Sequence, residues 1–410
     1  MTAIRAAQSL KGCVTAPHHL AAQAGLRVLQ DGGNAIEAMI AAAASIAVVY
    51  PHMNSIGGDG FWLISRPGRE PIAIDACGGA AMLANRDFYT EQGHQSIPNR
   101  GPLAALTVAG TISGWEVALK IARDIGGKLP LSRLLEDAIV YAREGVVISG
   151  SQASAVGAKA GELSGVPGFS DTFMPDGKTP DQGDIQRFPK LGATFERLAY
   201  AGLEDFYRGG LARSMTADLE RLGSPLRLDD LNAYQAQIVP PLPLDLKGVR
   251  LLNLPPPTQG LASLLILGVF NRLDVPQADG FEYVHGLVEA TKQAFYVRNN
   301  YVTDPAFMPS PAMDFLAPER LSEMAAHVDM THASDWHLRQ ANGDTVWMGA
   351  CDASGLMVSF IQSVYWEFGS GVVLPESGVI WQNRGISFSL EENALQRLEP
   401  GRKPFHTLNP

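Results

Sequence analysis

Cysteines, histidines, a glycine cluster and the Asp344-Thr345 pair are the features of this 410-residue sequence that could do chemistry. Cys13, Cys77 and Cys351 are far apart and odd in number, which argues against a disulfide framework or a cysteine-based zinc site. Cys13 and Cys351 read as small core residues. His18 and His19 have no second histidine or acid cluster at ligand spacing and read as structural, while His52 and His285 read as packing or surface residues. Ile56-Gly57-Gly58-Asp59-Gly60 could be a phosphate loop, but it lacks a Gly-Lys-Ser/Thr ending and precedes a strand instead of a helix. No metal and no cofactor are therefore expected. Asp344-Thr345, taken alone, is an ordinary strand start. A threonine hydroxyl is a weak nucleophile unless a base takes its proton. An α-amino group, titrating near neutrality, can be that base.

The composition frames what such residues could serve. With 46% hydrophobic and 18% charged residues the chain reads as a soluble globular protein large enough for a substantial core. A formal charge of -10 argues against a nucleic-acid partner. The longest apolar run, 35–49, contains Glu37 and is too short to span a bilayer. Residues 1–10 have no apolar core fit for a signal peptide, so a cytoplasmic location is the simplest expectation.

Local patterns supply the elements that would position a site. A helix follows His19, with Ala21, Gly25, Val28 and Leu29 on one face and Gly32-Gly33 ending it. Asn34 caps a second helix, 35–49, apolar nearly all round and so central. Runs 61–65 and 71–76, separated by Pro67-Gly68, predict a hairpin. The middle of the chain predicts helices over 115–125, 131–144 and 211–222, with Ser132 and Asp229 as caps, and two more over 260–270 and 281–299. Glu282, Glu289 and Lys292 read as a solvated face of the last. Residues 252–260, with Pro255-Pro256-Pro257, must be extended. Runs 345–351 and 356–365 predict a second hairpin, followed by a flexible loop at 369–371 and a short strand at 378–381. The direction of Gln362 stays open. Helices between hairpin-bearing segments suggest a layered α+β fold.

Four stretches, in order, resemble the γ-glutamyltranspeptidase family. They are Ala16-Pro17-His18 through Gly32-Gly33-Asn34-Ala35 to Ile56-Gly57-Gly58; Leu254-Pro255-Pro256-Pro257 with Gly260; Tyr301 to Asp304-Pro305; and Thr345 through Asp352 and Gly355 to Phe368-Gly369-Ser370-Gly371. The resemblance implies an αββα sandwich, the N-terminal-nucleophile hydrolase fold. It implies self-cleavage between Asp344 and Thr345, into a large piece 1–344 and a small piece starting at 345, within one structural domain. Thr345 would be the nucleophile, and its freed amino group the base. Ser363 falls where the family has a hydroxyl that orients the nucleophile, and Tyr365 at a substrate-contact position. His406 and Thr407 fall where the family has a serine pair near the substrate. The two pieces would pair, and a dimer of such heterodimers is one arrangement.

The departures bear on substrate. Cys77 stands where the family's carboxylate-clamping arginine is expected, and a cysteine cannot form the paired hydrogen bonds. In the segment Asn383-Arg384-Gly385-Ile386-Ser387, Ile386 and Ser387 replace the acids that hold a glutamyl amino group, and Trp347 replaces a histidine. Arg384 could instead hold a smaller carboxylate, with Asn383 beside it. A small carboxylate-bearing amide such as oxamate is the expected substrate. Two alternatives stay open: γ-glutamyl transfer or glutathione hydrolysis, and a non-catalytic binding protein. The family's oxyanion Gly-Gly pair is expected beyond Pro410, so 345–410 reads as the truncated start of the small piece.

Overall fold

Two consecutive helices, α1 (His19–Gln30) and α2 (Ala35–Val49), form as the apolar spacing predicts. The computed structural model describes residues 8–336 and 345–410. Every residue of α2 is buried. Its one acid is fully bonded: Glu37 accepts from the Asn34 N–H at 2.8 Å and from the Leu129 N–H at 2.8 Å. The Asn34 side chain in turn accepts from the N–H groups of Ile36 and Glu37, closing a reciprocal cap. His18 caps α1 by accepting from the Leu20 N–H, a structural role as expected. Gly32, at φ +85°, ends that helix in a conformation that favours glycine.

Against α2 lies an antiparallel sheet. Its strands, with a separate hairpin included in the numbering, are β1 (Gly12–Thr15), β2 (Asp59–Ser65), β3 (Ile72–Ala76), β4 (Gln237–Val239), β5 (Leu242–Leu246), β6 (Val249–Asn253), β7 (Val346–Asp352) and β8 (Met357–Ser363). The six-stranded order is β1-β7-β8-β2-β3-β4, while β5 and β6 pair with each other. Strand alternation turns Met348, Ala350, Val358, Phe360, Trp62, Ile64 and Ile74 toward the helices, in one core with α2. On the opposite face Phe61, Ala73, Cys77 and Ile361 pack with Leu254 and Leu408. A third cluster joins the β5–β6 hairpin to the helices Gly260–Phe270, Phe281–Tyr301 and Pro318–Ala326.

Several local expectations are corrected. Pro130 and Arg227, not Ser132 and Asp229, occupy the cap positions of their helices; Asp230 makes the capping bond, to the Arg227 N–H at 2.8 Å. Glu289 is buried and paired with Lys292 at 2.6 Å, because residues near Ser334 fold over that helix face. The 369–371 loop is buried, and 378–381 contributes isolated bridges, Gly57↔Trp381 and Val373↔Ile380, instead of a strand. Cys13 is exposed and Cys351 only half-buried, so neither is a core residue.

Gly57 and Gly58 let backbones touch. A β-carbon on Gly58 would strike the Ser363 carbonyl oxygen, and one on Gly57 the Ile380 carbonyl oxygen. Gly58→Ala should therefore cost about 1–3 kcal/mol in urea unfolding. Gly157→Ala, inside the helix Gly150–Leu163 with open space around it, should add about 0.5–1 kcal/mol. Equal effects at the two positions would remove the close-approach explanation.

Candidate active site

The hairpin β7–β8 places Thr345, just ahead of β7, beside Ser363 at the end of β8. Thr345 Oγ1 donates to Ser363 Oγ at 3.1 Å, and the Tyr365 N–H donates to the same Ser363 Oγ at 2.9 Å. The hairpin's turn is fastened at its other end, where Asp352 accepts from the Ala35 N–H at 2.9 Å. That bond sets a carboxylate on the N-terminus of α2, where the helix dipole favours it. Asp344 lies outside the described residues.

Beyond Ser363 the chain enters a strained turn. Tyr365 has φ +84°, a left-handed conformation that costs a non-glycine residue about 1–3 kcal/mol. Its ring lies under Arg384, whose guanidinium carbon is 3.7 Å from the ring centroid. Arg384 is fully buried. One nitrogen, Nη1, donates to the Phe405 carbonyl at 3.4 Å, while Nη2 has no hydrogen-bond partner among the described residues. Arg384 forms no ion pair among the described residues. Burial lowers its pKa to about 10, opposed by Tyr365 and Asp59, so it stays cationic at neutral pH.

Asp59 faces this cation from β2 and is itself wholly buried. It is the register partner of Ser363, so the two side chains share one face of the sheet. Asp59 Oδ1 accepts from the N–H groups of Gly110 at 2.9 Å and Gly78 at 3.3 Å. Oδ2 lies 3.3 Å from His406 Nε2, near enough for charge pairing but not aligned as a hydrogen bond. Burial pushes the Asp59 carboxyl up to about 7, against the Gly110 N–H and the Arg384 charge. Burial, with Arg384 and Lys403, holds His406 well below its ordinary value, so the imidazole is neutral. Close by, Lys403 pairs with Asp75 at 2.7 Å, and burial raises the neighbouring Cys77 thiol.

His406 is held by its backbone. Its N–H donates to the Pro257 carbonyl at 2.8 Å, and its carbonyl accepts from the Gln259 N–H at 2.9 Å. The proline-rich stretch turns at Pro256-Pro257 instead of running extended, and this turn supplies the backbone on which residue 406 docks. Thr407 is half-buried, with its carbonyl accepting from Gln259 Nε2 at 2.6 Å. Asn383 is buried and engaged at both ends of its amide, accepting from the Trp366 N–H and donating to the Asn99 carbonyl. It braces the turn that carries Tyr365. Gln362 points inward and donates to Asn54 at 2.8 Å. Ser387 Oγ is buried without a hydrogen-bond partner among the described residues.

One contact chain therefore links Thr345, Ser363, Tyr365 and Arg384, and Asp59 joins it to His406. Asp59 was missed as a site residue because it stood inside a glycine cluster weighed only as a phosphate loop and rejected. An acid at the mouth of an apolar strand was the available signal. Among the described residues no group of three or more His, Cys, Asp or Glu side chains could hold a metal ion. The surface cleft lined by Gly168, Arg187, Leu191 and Val373 is built from other residues.

Comparison with known proteins adds to this geometry. The family model described as gamma-glutamyltranspeptidase matches residues 21–410. The oxamate amidohydrolase proenzyme of Klebsiella pneumoniae subsp. pneumoniae is 53% identical over 403 residues, spanning 98% of this chain and 76% of that protein. The glutathione hydrolase-like YwrD proenzyme of Bacillus subtilis is 37% identical, spanning 98% and 75%. Among solved structures, a cephalosporin acylase from Bacillus halodurans superposes with TM-score 0.89 at 34% identity, covering 97% of this chain and 74% of that one. A gamma-glutamyltranspeptidase from Pseudomonas nitroreducens complexed with L-DON gives TM-score 0.71 at 30% identity, covering 79% and 96%. The fold is accordingly the αββα N-terminal-nucleophile hydrolase fold.

The buried Asp59 has a stability signature. Its folded pKa, about 7, lies above the ordinary carboxyl value, so the folded state holds a proton that the unfolded state releases. Its contribution therefore falls as pH rises from about 4 to about 7, by roughly 4 kcal/mol in all. Asp59→Asn should lose less stability than the parent over that window in urea unfolding. Parallel curves would remove the buried charge.

Proposed function

This chain belongs to the gamma-glutamyltranspeptidase family and is an amide hydrolase, and we propose that it cleaves itself before Thr345 and then hydrolyses a small carboxylate-bearing amide such as oxamate. The observation that carries the reading is the buried Arg384, stacked on Tyr365 with Nη2 unpartnered among the described residues, two contacts away from the Thr345–Ser363 hydrogen bond. A buried guanidinium without an anion is a prepared seat for one. The 53% identity to an oxamate amidohydrolase proenzyme supports the same substrate class.

The chemistry follows from the groups present. Cleavage frees the Thr345 amino group, which takes the proton from Oγ1 as that oxygen attacks the amide carbon. Ser363, holding Oγ1 at 3.1 Å, fixes the direction of attack. The tetrahedral species collapses with the C–N bond breaking, and the Thr345 ammonium returns the proton to the departing nitrogen. An ester on Thr345 remains. Water, deprotonated by the same amine, attacks it and releases the acid. Throughout, Arg384 holds the substrate carboxylate. Asp59 controls how much positive charge that anion meets. Once Asp59 ionises, it repels the substrate and competes for Arg384. The large piece is 1–344 and the small one starts at Thr345 under this reading.

Cys77, Ile386 and Ser387 stand where the family resemblance expects a glutamyl clamp, and the nearby Lys403 is already paired with Asp75. A glutamyl group would therefore leave its own charges unpaired, which disfavours it.

The parent protein should yield two fragments on a denaturing gel, the smaller beginning at Thr345 by N-terminal sequencing, and Thr345→Ala a single band. An uncut parent would favour a binding role. In steady-state assays Arg384→Ala should raise KM for oxamate about 10- to 100-fold, with Arg384→Lys recovering part. KM should rise with pH above about 7, and Asp59→Asn should flatten that rise. Faster turnover of a γ-glutamyl anilide than of oxamate would overturn the substrate assignment.

A further inference from the structure

Cys13 and Cys351 are direct register partners on β1 and β7, and their sulfurs lie 3.3 Å apart. Opposed residues in an antiparallel pair project to the same face, with Cα separations of about 4.5 or 5.5 Å. Both values fall within the span of about 4.4–6.8 Å that a disulfide bridges. Cys13 is exposed and Cys351 half-buried, so a small oxidant can reach them; Cys77 is buried. The sequence places the two 338 residues apart, which is why they looked unrelated.

We propose that Cys13 and Cys351 are a built disulfide site that closes when the protein meets a low-molecular-weight disulfide such as oxidised glutathione. Resting on the cleavage before Thr345 argued above, the bond would join the large and small pieces covalently.

The exchange balances. One protein thiolate attacks a sulfur of oxidised glutathione, forming a mixed disulfide and releasing one glutathione thiolate. The second protein thiol loses its proton and attacks the mixed disulfide at the protein sulfur, releasing the second glutathione. Two protein thiols are oxidised, and one small disulfide is reduced to two thiols. The hydrogen bond to Cys351, then burial, raises the Cys13 thiol, which favours its protonated form. Exchange should therefore quicken as pH rises.

The placement has consequences for the site. β1 is an edge strand with β7 as its one neighbour in the sheet. β7 follows directly on Thr345, and Cys351 adjoins Asp352, whose carboxylate is bonded to α2. The bond would lock the sheet's edge onto the strand that carries the nucleophile.

The test incubates the full chain with ratios of reduced to oxidised glutathione, quenches it with an alkylating agent, and applies non-reducing and reducing gels with peptide mass mapping. In oxidised samples the two fragments should run as one band that reduction separates, and mapping should find a Cys13–Cys351 linked peptide lacking two hydrogens. Cys13→Ser and Cys351→Ser should each leave the fragments separate at every ratio. If the chain stays uncut, the linked peptide still reports on the disulfide, so failure of cleavage is distinguishable. No linked peptide at any ratio, glutathione attached to single cysteines only, or a joined band that persists in Cys13→Ser would overturn the proposal.

Discussion

The site depends on a backbone-to-backbone contact. Gly57 and Gly58 press against the carbonyls of Ile380 and Ser363, and no side chain fits between them. That contact gathers three chain regions that local structure would not join: the mouth of β2 with Asp59, the end of β8 with Ser363, and the 379–384 segment leading to Arg384. A bridge from Gly57 to Trp381 and a Gln382 N–H donated to the Gly57 carbonyl hold the third region in register. Substituted glycines would move the cation, the acid and the hydroxyl that binds Thr345 apart together.

The electrostatics is a matter of few charges in a dry place. Arg384 is wholly buried, Asp59 faces it, and His406 is kept neutral by both burial and the nearby cations. In water such groups would barely sense one another. Here burial sets their protonation first, and the Arg384 charge then lowers the pKa of both Asp59 and His406. Asp59 is thus an acid placed where it senses the Arg384 charge.

What was legible in the sequence was local. Asn34 and Glu37 announce their helix because a cap acts across three residues, and both hairpins follow from alternation and turn residues. The family motifs extended this to Thr345, Ser363 and Tyr365, and a departure from them to Arg384, and the structure brings the four into one contact chain. What stayed hidden was long-range. Nothing within residues 8–18 reveals that β1 pairs with β7, so Cys13 and Cys351 looked like unrelated core residues. Asp59 looked like part of a rejected phosphate loop until its register with Ser363 was known. Glu289 seemed solvated because the cover near Ser334 comes from 45 residues away.

The strand order has a mechanical meaning. β7 and β8 sit inside the sheet, between β1 on one side and β2 on the other, although they come from the far end of the chain. A backbone cut just ahead of β7 would leave that hairpin as an inlay, laced by ladders along both long edges and backed by α2. Detaching it would mean breaking both ladders at once and wetting the core beneath. A one-time cut of this kind behaves as a ratchet: it releases an amino terminus at the catalytic point without releasing the piece that bears it.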